Sequence, residues 1–403
     1  MAPFIGILNL FALSSRDYYP SSLASHQENN GIEQSGTDLS RLCTLFDASP
    51  TDLLCLRTNE KGIRGVCLNK SVSENDVILR IPLLSCLVDE SPQWLRQTPL
   101  SDNDTFTVSV EGWVTRLTAS LLEAQKNNQK TEGLQTWFDL FPTNLRQILP
   151  IHWDSNLLQK VNQCQSLELA VDSAFFARAI ILEDLSMSIK EADFGNVTES
   201  EIELCLDLVQ TRSCRIESEG GAPCIRVLAP IFDMINHNPN HNVEFIREGN
   251  NLIVRAMEDI DADAEIFINY GSSTHPAWKC LFSYGFVPLS DDCYETDTAE
   301  LVVDNMRFEV SPTDIPFELI QHETKVFDQT IPDEEIELTL ETGQRIIDHI
   351  MDSAKNLKSV SSEKLFGEEC SASLLLKDLK ESNRRTLLAC AGGLREFLDE
   401  SNL

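Results

Sequence analysis

The hydrophobic pattern divides the chain into stretches of different period. Short apolar runs bounded by turn residues predict strands over 65–68 and 77–81, with Pro82 ending the second run. From about residue 92 to residue 215 the apolar residues recur at helical spacing, as they do around Leu117 and Ile181. A strand pattern returns after this stretch. The sequence therefore predicts sheet segments on both sides of a helical insert.

The strands predicted after the insert are short. Four apolar or alternating runs indicate them, at 225–228, 243–247, 251–255 and 264–269. Glu248-Gly249-Asn250 predicts a hairpin between the second and third runs. The fourth run leads directly into Tyr270-Gly271. Between the predicted helices of the insert, the aromatic stretch 137–142 is most simply interpreted as core packing.

The two ends of the chain differ from its middle. Residues 295–403 are acidic and then helical, with apolar faces over 346–357 and 387–398, and we predict a separate helical domain there. Residues 1–40 are predicted to be flexible, because 14–40 are rich in Ser, Asn, Gln and Gly and lack periodicity. The apolar residues 1–13 lack a preceding basic segment, so whether they form a targeting signal stays open.

The length, hydropathy and charge of the chain limit the kinds of molecule that it is expected to bind. The 403 residues are enough for two domains, and we find no run of about 18 apolar residues that could span a bilayer. Lys and Arg total 32 against 64 Asp and Glu, giving a net charge of -32. This charge disfavours nucleic acid and favours basic partners, although a well-solvated acidic surface is the simpler interpretation.

The 12 Cys residues are scattered without a Cys-x-x-Cys pair. In a chain of this length, scattered cysteines are typical of free thiols in a reducing compartment. We therefore predict a cytoplasmic or nuclear location, and a plastid location stays open.

The segment 230–245 contains an Asp, two His and four Asn between apolar runs, which suggests either a metal site or a pocket for a polar cofactor. His237 and His241 would share one face of a helix, but Pro239 and the four Asn disfavour a helix there. No third ligand is placed by the sequence, so no metal is predicted. Asn236 and His237 instead offer hydrogen-bonding groups to a cofactor, although such residues in a loop are often only turn chemistry.

Two tyrosines are predicted just past strand ends. Tyr270 follows the run 264–269, and Tyr284-Gly-Phe286 comes 14 residues later. Hydroxyl groups placed in this way can be directed into one site, where they orient a reacting group. The simpler interpretation is a pair of half-buried sheet aromatics.

Together, these elements resemble the SET-domain protein methyltransferases. The Asn236-His237 pair, the hairpin, Ile268-Asn-Tyr-Gly271 and Tyr284-Gly-Phe286 follow a Gly62-Ile-Arg-Gly65 turn and a long helical insert. More narrowly, the chain resembles the Rubisco large-subunit methyltransferase class, over about residues 50–400. The resemblance implies an α+β fold, with a β-rich SET domain over 50–290 that contains the insert at about 92–215. An all-α substrate-binding domain over 295–403 would follow it.

The resemblance also implies roles for individual residues. Tyr270 is the implied catalytic residue, and S-adenosylmethionine is the implied cofactor. The implied cofactor-binding residues are Gly62, Arg64, Arg212, Asp233, Asn236, His237, Tyr284 and Phe286. The chain departs from the family pattern at Ile63 and Asp263, where the family usually has Gly, and at Pro276-Ala277, where it usually has Ser-Asn. A side chain at a close-approach glycine can narrow a cofactor pocket.

The implied function is S-adenosylmethionine-dependent N-methylation of a lysine side chain in a protein substrate. The acceptor is expected in a basic segment, with no nucleic acid or membrane partner. Methylation of a protein histidine is an alternative, and so is a catalytically silent SET-like module that binds peptides.

Overall fold

The computed structural model describes twelve parts of the chain: 37–59, 63–90, 92–95, 112–126, 131–162, 167–217, 224–271, 276–288, 297–327, 331–332, 336–361 and 371–400. These residues group into two compact units. The first unit runs to Leu145 and resumes over Ala170–Ser272. The second unit comprises Arg146–Leu169 and the chain from Ser273 onwards. The predicted domain boundaries near residues 92, 215, 290 and 295 stay predictions.

The first unit contains eleven strands in its described residues. They are β1 (Thr37–Asp38), β2 (Leu54–Thr58), β3 (Arg64–Leu68), β4 (Val77–Pro82), β5 (Leu87–Val88), β6 (Cys214–Ile216), β7 (Ile225–Leu228), β8 (Asn236–His237), β9 (Val243–Glu248), β10 (Asn251–Ala256) and β11 (Phe267–Ile268). They form four small sheets, with the strand orders β1-β2-β3, β4-β10-β9, β5-β7-β6 and β8-β11. In two of these sheets, β4-β10-β9 and β5-β7-β6, a strand that precedes the insert therefore pairs with strands that follow it.

The β4-β10-β9 sheet follows directly from the sequence pattern. Its central strand contains Leu252, Ile253 and Val254, each fully buried, which explains the continuous apolar run. The predicted hairpin is confirmed, since Asn251 pairs with Glu248 across a two-residue loop. Gly249 has φ 56° in that loop, a conformation that glycine adopts without steric cost.

The strand predicted over 264–269 is shorter than expected. Only Phe267–Ile268 forms a named strand, parallel to β8. The preceding residues pair with β3 instead, where Leu68 N donates to Ala264 O at 3.0 Å and Ile266 N donates to Val66 O at 2.9 Å. The segment thus divides its hydrogen bonds between two partners, which an alternation pattern cannot reveal.

The described residues contain eleven α-helices. They are α1 (Ser40–Leu45), α2 (Gly112–Lys126), α3 (Glu132–Phe138), α4 (Leu145–Ile148), α5 (Ser155–Val161), α6 (Glu168–Glu191), α7 (Glu199–Arg212), α8 (Ala277–Tyr284), α9 (Phe317–Phe327), α10 (Leu340–Ser361) and α11 (Ser371–Glu400). Six of them, α2 to α7, fall within the insert, so its helical character is confirmed where the described residues cover it. The α+β fold class is confirmed as well.

Helix α7 begins at a capping box. The side chain of Thr198 accepts a hydrogen bond from Glu201 N, and the Glu201 side chain accepts one from Thr198 N. This arrangement satisfies two backbone donors that a helix N-terminus would otherwise leave unpaired. Lys126, at the end of α2, forms an ion pair with Glu201 at 2.5 Å. The cap therefore also links the two helices that pack together in the insert.

The second unit is mainly helical, but it is not all-α as predicted. A hairpin of β12 (Ala299–Val303) and β13 (Met306–Val310) precedes α9. Its two-residue loop consists of Asp304 and Asn305, with φ of 50° and 64°. Asp and Asn tolerate this left-handed conformation, which two-residue hairpin loops favour. The all-α prediction was wrong here because it rested on the helical spacing of apolar residues further along the chain, over 346–357 and 387–398.

The N-terminal prediction is only partly covered by the described residues. Residues 1–36 lie outside them, whereas Thr37–Asp38 pairs with β2 and Ser40 begins α1. The last residues of the predicted flexible segment are therefore ordered. Among the helices that the structure describes, none is long and apolar enough to cross a membrane.

We expect Thr198→Ala to lower the free energy of unfolding by about 1 kcal/mol, because the cap of α7 is lost. Thr198→Ser, which keeps the hydroxyl group, should stay close to the wild type. Urea denaturation measures both changes. Equal stability of the Ala and Ser variants would show that the cap does not stabilise this helix.

Candidate active site

The segment that leads to Asn236 begins with a strained turn. Phe232 N donates to Pro230 O at 2.8 Å across a three-residue γ-turn, and the central Ile231 has φ 71° and ψ -52°. A β-branched residue rarely adopts this conformation, which costs on the order of 1–3 kcal/mol. Ile231 is fully buried. Strain of this kind is found at functional sites, where the surrounding structure holds it in place.

The parallel pairing of β8 with β11 brings the two predicted site segments together. Asn236 lies beside Phe267, and His237 beside Ile268. The side chain of Asn242 strengthens this crossing, since it donates to Glu265 O at 3.1 Å and accepts from Phe267 N at 2.8 Å. Nothing in the sequence distinguishes Asn242, since it is one of four Asn residues in the segment 236–242.

Tyr270 is held against His237 directly after β11. Its backbone N donates to His237 Nδ1 at 3.1 Å, and the two rings stack with centroids 4.9 Å apart. Because Nδ1 accepts this bond, the proton of a neutral His237 lies on Nε2. The Tyr270 hydroxyl donates to Ile235 O at 2.7 Å. With its proton committed to a carbonyl, the phenol oxygen can only accept further hydrogen bonds.

Asn236 is buried and only partly satisfied. Its side-chain Nδ2 donates to Arg64 O at 3.1 Å and to Glu265 Oε1 at 2.5 Å. These two acceptors fix the orientation of the amide. Its Oδ1 is buried and has no hydrogen-bond partner among the described residues. A buried acceptor of this kind is destabilising unless a donor reaches it, so the site is suited to a ligand that supplies one.

Gly65 makes room for this arrangement. A Cβ atom at residue 65 would lie 1.9 Å from Glu265 Oε1 and 2.8 Å from Asn236 Nδ2. The Glu265 side chain therefore lies directly against the backbone of β3. Burial raises the pKa of the Glu265 carboxyl, and the hydrogen bond from Asn236 opposes the rise. Sequence reasoning did not identify Glu265 as a site residue, since its contact partners are distant in the chain.

Asp233 and Arg212 form a buried ion pair beneath the site. Arg212 NH1 donates to Asp233 O at 2.8 Å and contacts Oδ2 at 3.2 Å. The Trp137 indole N–H donates to Oδ1 at 3.2 Å. Burial raises the pKa of Asp233, and the Arg212 charge opposes it. Both carboxylate oxygens are therefore engaged by protein donors.

Arg64 contacts the helical insert. Its NH2 group donates to Leu140 O at 2.6 Å. Burial lowers the pKa of Arg64, and the nearby Arg212 charge lowers it further. The end of α3 thus contacts Asp233 through Trp137, and the turn that follows it contacts Arg64 through Leu140. These two contacts connect the insert to both sides of the candidate site.

Not every predicted site residue belongs to this cluster. Gly62 lies outside the described residues. Tyr284 and Phe286 belong to the second unit, where their rings stack with centroids 6.2 Å apart. Tyr284 ends helix α8 and does not follow a strand as predicted, because residues 277, 280, 281 and 284 place a buried face at helical spacing. Like the roles of the other predicted site residues, the cofactor-binding roles of these three residues stay predictions.

The metal alternative receives no structural support from the two histidines. His237 lies in β8, and His241 lies in the following loop with Nδ1 3.2 Å from Pro239 O. They do not share a helix face. In the part of the chain that the structure describes, no group of three or more His, Cys, Asp or Glu residues is arranged to hold a metal ion.

This fold and site place the chain in a known class. The model of the SET domain family matches residues 63–271, more than half of the chain, and the protein belongs to that family. The N-lysine methyltransferase SETD6 of Homo sapiens is 26% identical over 204 residues, which are 48% of this chain and 42% of that protein. The SET domain-containing protein 8 of Schizosaccharomyces pombe is 35% identical over 77 residues, 19% of this chain and 18% of that protein. The chain thus matches less than half the length of these two relatives.

Solved structures show the same overall fold. Rubisco LSMT bound to sinefungin and monomethyllysine aligns with a TM-score of 0.57 at 13% identity, covering 89% of this chain and 91% of that one. Rubisco LSMT bound to AdoMet aligns with a TM-score of 0.56 at 13% identity, covering 90% and 92%. At this identity the likeness establishes the fold alone.

We expect Gly65→Ala to destabilise the protein by about 1–3 kcal/mol, because the new methyl group would displace the Glu265 carboxyl. Gly392→Ala is the control, since nothing lies within 4 Å of its added Cβ in helix α11 and the helix should be unchanged or more stable. Urea denaturation measures both variants. The effect of Gly65→Ala should shrink in a Glu265→Ala background, and equal effects in both backgrounds would contradict the proposed packing.

Proposed function

We propose that this chain is an S-adenosylmethionine-dependent protein methyltransferase that methylates a lysine side chain. The observation that carries the proposal is the crossing of β8 and β11, which holds Asn236, His237 and Tyr270 together in one cluster, with Asn236 and Tyr270 buried and His237 half-buried. Membership of the SET domain family supports it. So does the similarity of the chain to N-lysine methyltransferases.

The cluster fits the cofactor chemically. S-adenosylmethionine carries an ammonium group, a carboxylate, an adenine and a positively charged sulfonium, and when bound it supplies an electrophilic methyl group. The unpartnered Asn236 Oδ1 is a buried acceptor for one of its donors. Asn236, His237 and Arg64 would hold the cofactor, and the roles of Gly62, Tyr284 and Phe286 stay those that the family resemblance implies. Since both Asp233 oxygens are engaged, Asp233 and Arg212 would support the site from below.

Tyr270 would position the acceptor amine. Its hydroxyl donates to Ile235 O, so its oxygen can accept an N–H from a lysine amine and orient the nitrogen lone pair. A free lysine is neutral in only about one molecule in 2,500 at pH 7, and burial favours the neutral form. Holding two reacting groups in line can lower a barrier by about 7–11 kcal/mol. Positioning by these residues is therefore the main contribution of the protein.

The acidic surface favours a basic substrate. The net charge of -32 would attract a segment rich in Lys and Arg and would repel nucleic acid. A target lysine within a basic segment of a protein is the partner that this charge fits. The cysteines support a reducing compartment, cytoplasmic or nuclear with a plastid open, since eight of the nine that the structure describes are buried and Cys224 is the exposed one.

Two departures from the family pattern are tolerated locally. Asp263, at a position where the family usually has Gly, has φ 68°, and its carboxylate pairs with Arg57 at 2.5 Å. Asp adopts this left-handed conformation more readily than most residues. Ile63 donates its backbone N to Asn59 Oδ1 at 3.0 Å, which closes the turn between β2 and β3. These contacts favour an active enzyme over the silent peptide-binding module.

We expect excess S-adenosylmethionine to raise the melting temperature of the wild type, because ligand at 100 times its dissociation constant adds about 2.7 kcal/mol of stability. Asn236→Ala should abolish the shift. Asn240→Ala, an exposed residue in the same segment, should retain it. If the wild type does not shift at millimolar ligand, the cofactor proposal fails and the silent module becomes the better account.

We expect the wild type to transfer labelled methyl groups to a basic protein, with Tyr270→Phe slower by about 100-fold because the amine loses its orienting acceptor. Amino-acid analysis of the labelled product separates methyllysine from methylhistidine. Transfer should weaken as salt screens the acidic surface. A Tyr270→Phe variant with wild-type rate would remove this residue from the proposed mechanism.

A further inference from the structure

Helix α8, which carries Tyr284, begins without a cap from its own neighbouring side chains. The residue before the helix is Pro276, and no side chain there accepts a hydrogen bond from the first turn. Where this chain has Pro276-Ala277, the family usually has Ser-Asn, and both of these residues are favoured N-caps. The first backbone N–H groups of a helix need acceptors from outside it. An acceptor for Ala277 N must therefore come from another part of the chain.

Asp297 supplies this acceptor from 20 residues further along the chain. Ala277 N donates to Asp297 Oδ1 at 2.9 Å, and Thr298 N donates to the same oxygen at 2.8 Å. A carboxylate at the N-terminus of a helix also interacts favourably with the helix dipole. Asp297 is 3% exposed, so solvent screens this interaction little. Asp297 is therefore a buried cap for α8 that replaces a local one.

The second oxygen of this carboxylate joins the cap to helix α11. Ser382 Oγ donates to Asp297 Oδ2 at 3.0 Å, and Thr386 Oγ1 donates to it at 3.3 Å. The two hydroxyl residues are four positions apart, so they lie on one face of α11. Burial raises the pKa of Asp297, and the hydrogen bonds from its four donors oppose the rise. One carboxylate thus ties the start of α8 to the start of β12 and to α11.

The far end of α8 places Tyr284 against the same unit. Gly285 follows with φ 79°, and its N donates to Leu281 O at 2.9 Å. A Cβ atom at residue 285 would lie 2.6 Å from Ile148 Cδ1, so the backbone packs closely against that side chain. The eight residues of the helix span about 12 Å. Over this short distance, a displacement of the helix start is carried to Tyr284 at its end.

We propose that Asp297 is a positioning residue, which sets the place of Tyr284 by anchoring the start of α8 to α11. Asp297 acts through Tyr284 and not by contact with the ligand. The distant cap compensates for the Pro276-Ala277 departure from the family pattern, since it holds the helix start that Ser-Asn would otherwise cap. This inference rests on the proposed function, because it takes Tyr284 to contribute to cofactor binding as the family resemblance implies.

The first test is a double-mutant cycle between Asp297→Ala and Tyr284→Phe. Calorimetry on the full chain gives the dissociation constant for S-adenosylhomocysteine. We expect each single variant to weaken binding by about tenfold. The double variant should bind at most about threefold more weakly than Tyr284→Phe, because Asp297 acts through the Tyr284 hydroxyl group. A general structural role of Asp297 would instead multiply the two effects to about 100-fold, and that result would overturn the proposal.

The second test restores a local cap. In the Asp297→Ala background, Pro276→Ser places a hydroxyl group at the N-cap of α8. Hydrogen exchange of the backbone amides over 277–284 should be faster in Asp297→Ala and should return towards the wild-type rate in the double variant, with binding recovering as well. Asp314→Ala removes an exposed carboxylate of the same unit and should change neither readout. Unchanged exchange in Asp297→Ala would show that Asp297 does not hold the helix.

A further variant covers the case in which Asp297→Ala does not fold. Ser382→Ala combined with Thr386→Val loosens the same anchor from the side of α11, and the cycle with Tyr284→Phe should again be non-additive. A Tyr284→Phe variant that binds like the wild type would contradict the positioning role. If the wild type itself does not bind S-adenosylhomocysteine, the proposed function fails and the positioning role fails with it. Additive effects in a wild type that binds would reject the positioning role alone.

Discussion

The buried pair of Asp233 and Arg212 is the interaction on which the candidate site depends. The two side chains are 0% and 3% exposed, so their charges must be compensated within the protein. Removing one member of such a pair typically costs about 3–5 kcal/mol. Asp233 lies three residues before Asn236 in the chain. By fixing both the carboxylate and the carbonyl of Asp233, Arg212 fixes the start of the segment that carries Asn236 and His237.

The strained turn at Ile231 makes sense in this context. The γ-turn directly precedes Asp233. The unfavourable φ of Ile231 is maintained because donors from two helices hold the Asp233 carboxylate in place. Arg212 comes from the end of α7, and Trp137 from α3. The Ile235 carbonyl, which accepts from the Tyr270 hydroxyl, lies two residues after Asp233. One buried charge therefore orders the backbone on which both Asn236 and Tyr270 depend.

The helical insert is consequently part of the site. Trp137 is fully buried and packs edge-on against Phe46, with ring centroids 5.9 Å apart, as the core interpretation of this aromatic stretch predicts. Its indole N–H also donates to Asp233, which the core interpretation did not include. The nearby Leu140 carbonyl accepts from Arg64. The insert thus holds β3 and the Asp233 segment through polar groups as well as through packing.

The sequence predicted the elements with strong local signals. The strand runs of β9 and β10, the Gly249 loop and the helical spacing of α10 and α11 are properties of short windows, and the structure confirms them. The pairing of β8 with β11 involves two residues on each strand, too few for any period to appear. The contact of Glu265 with Gly65 joins positions 200 residues apart. A β-branched residue such as Ile231 disfavours a positive φ, so the sequence cannot predict this conformation and the folded environment must impose it.

The most direct test of the central role of Asp233 is the affinity of Trp137→Phe for S-adenosylhomocysteine, measured by calorimetry on the full chain. Phe keeps an aromatic ring at this position, and it removes the donor to Asp233 Oδ1 together with part of the buried indole ring. We predict an affinity lower by about tenfold, because Asp233 can then shift and carry Asn236 with it. An unchanged affinity in a fully folded variant would contradict the dependence of the site on this buried carboxylate.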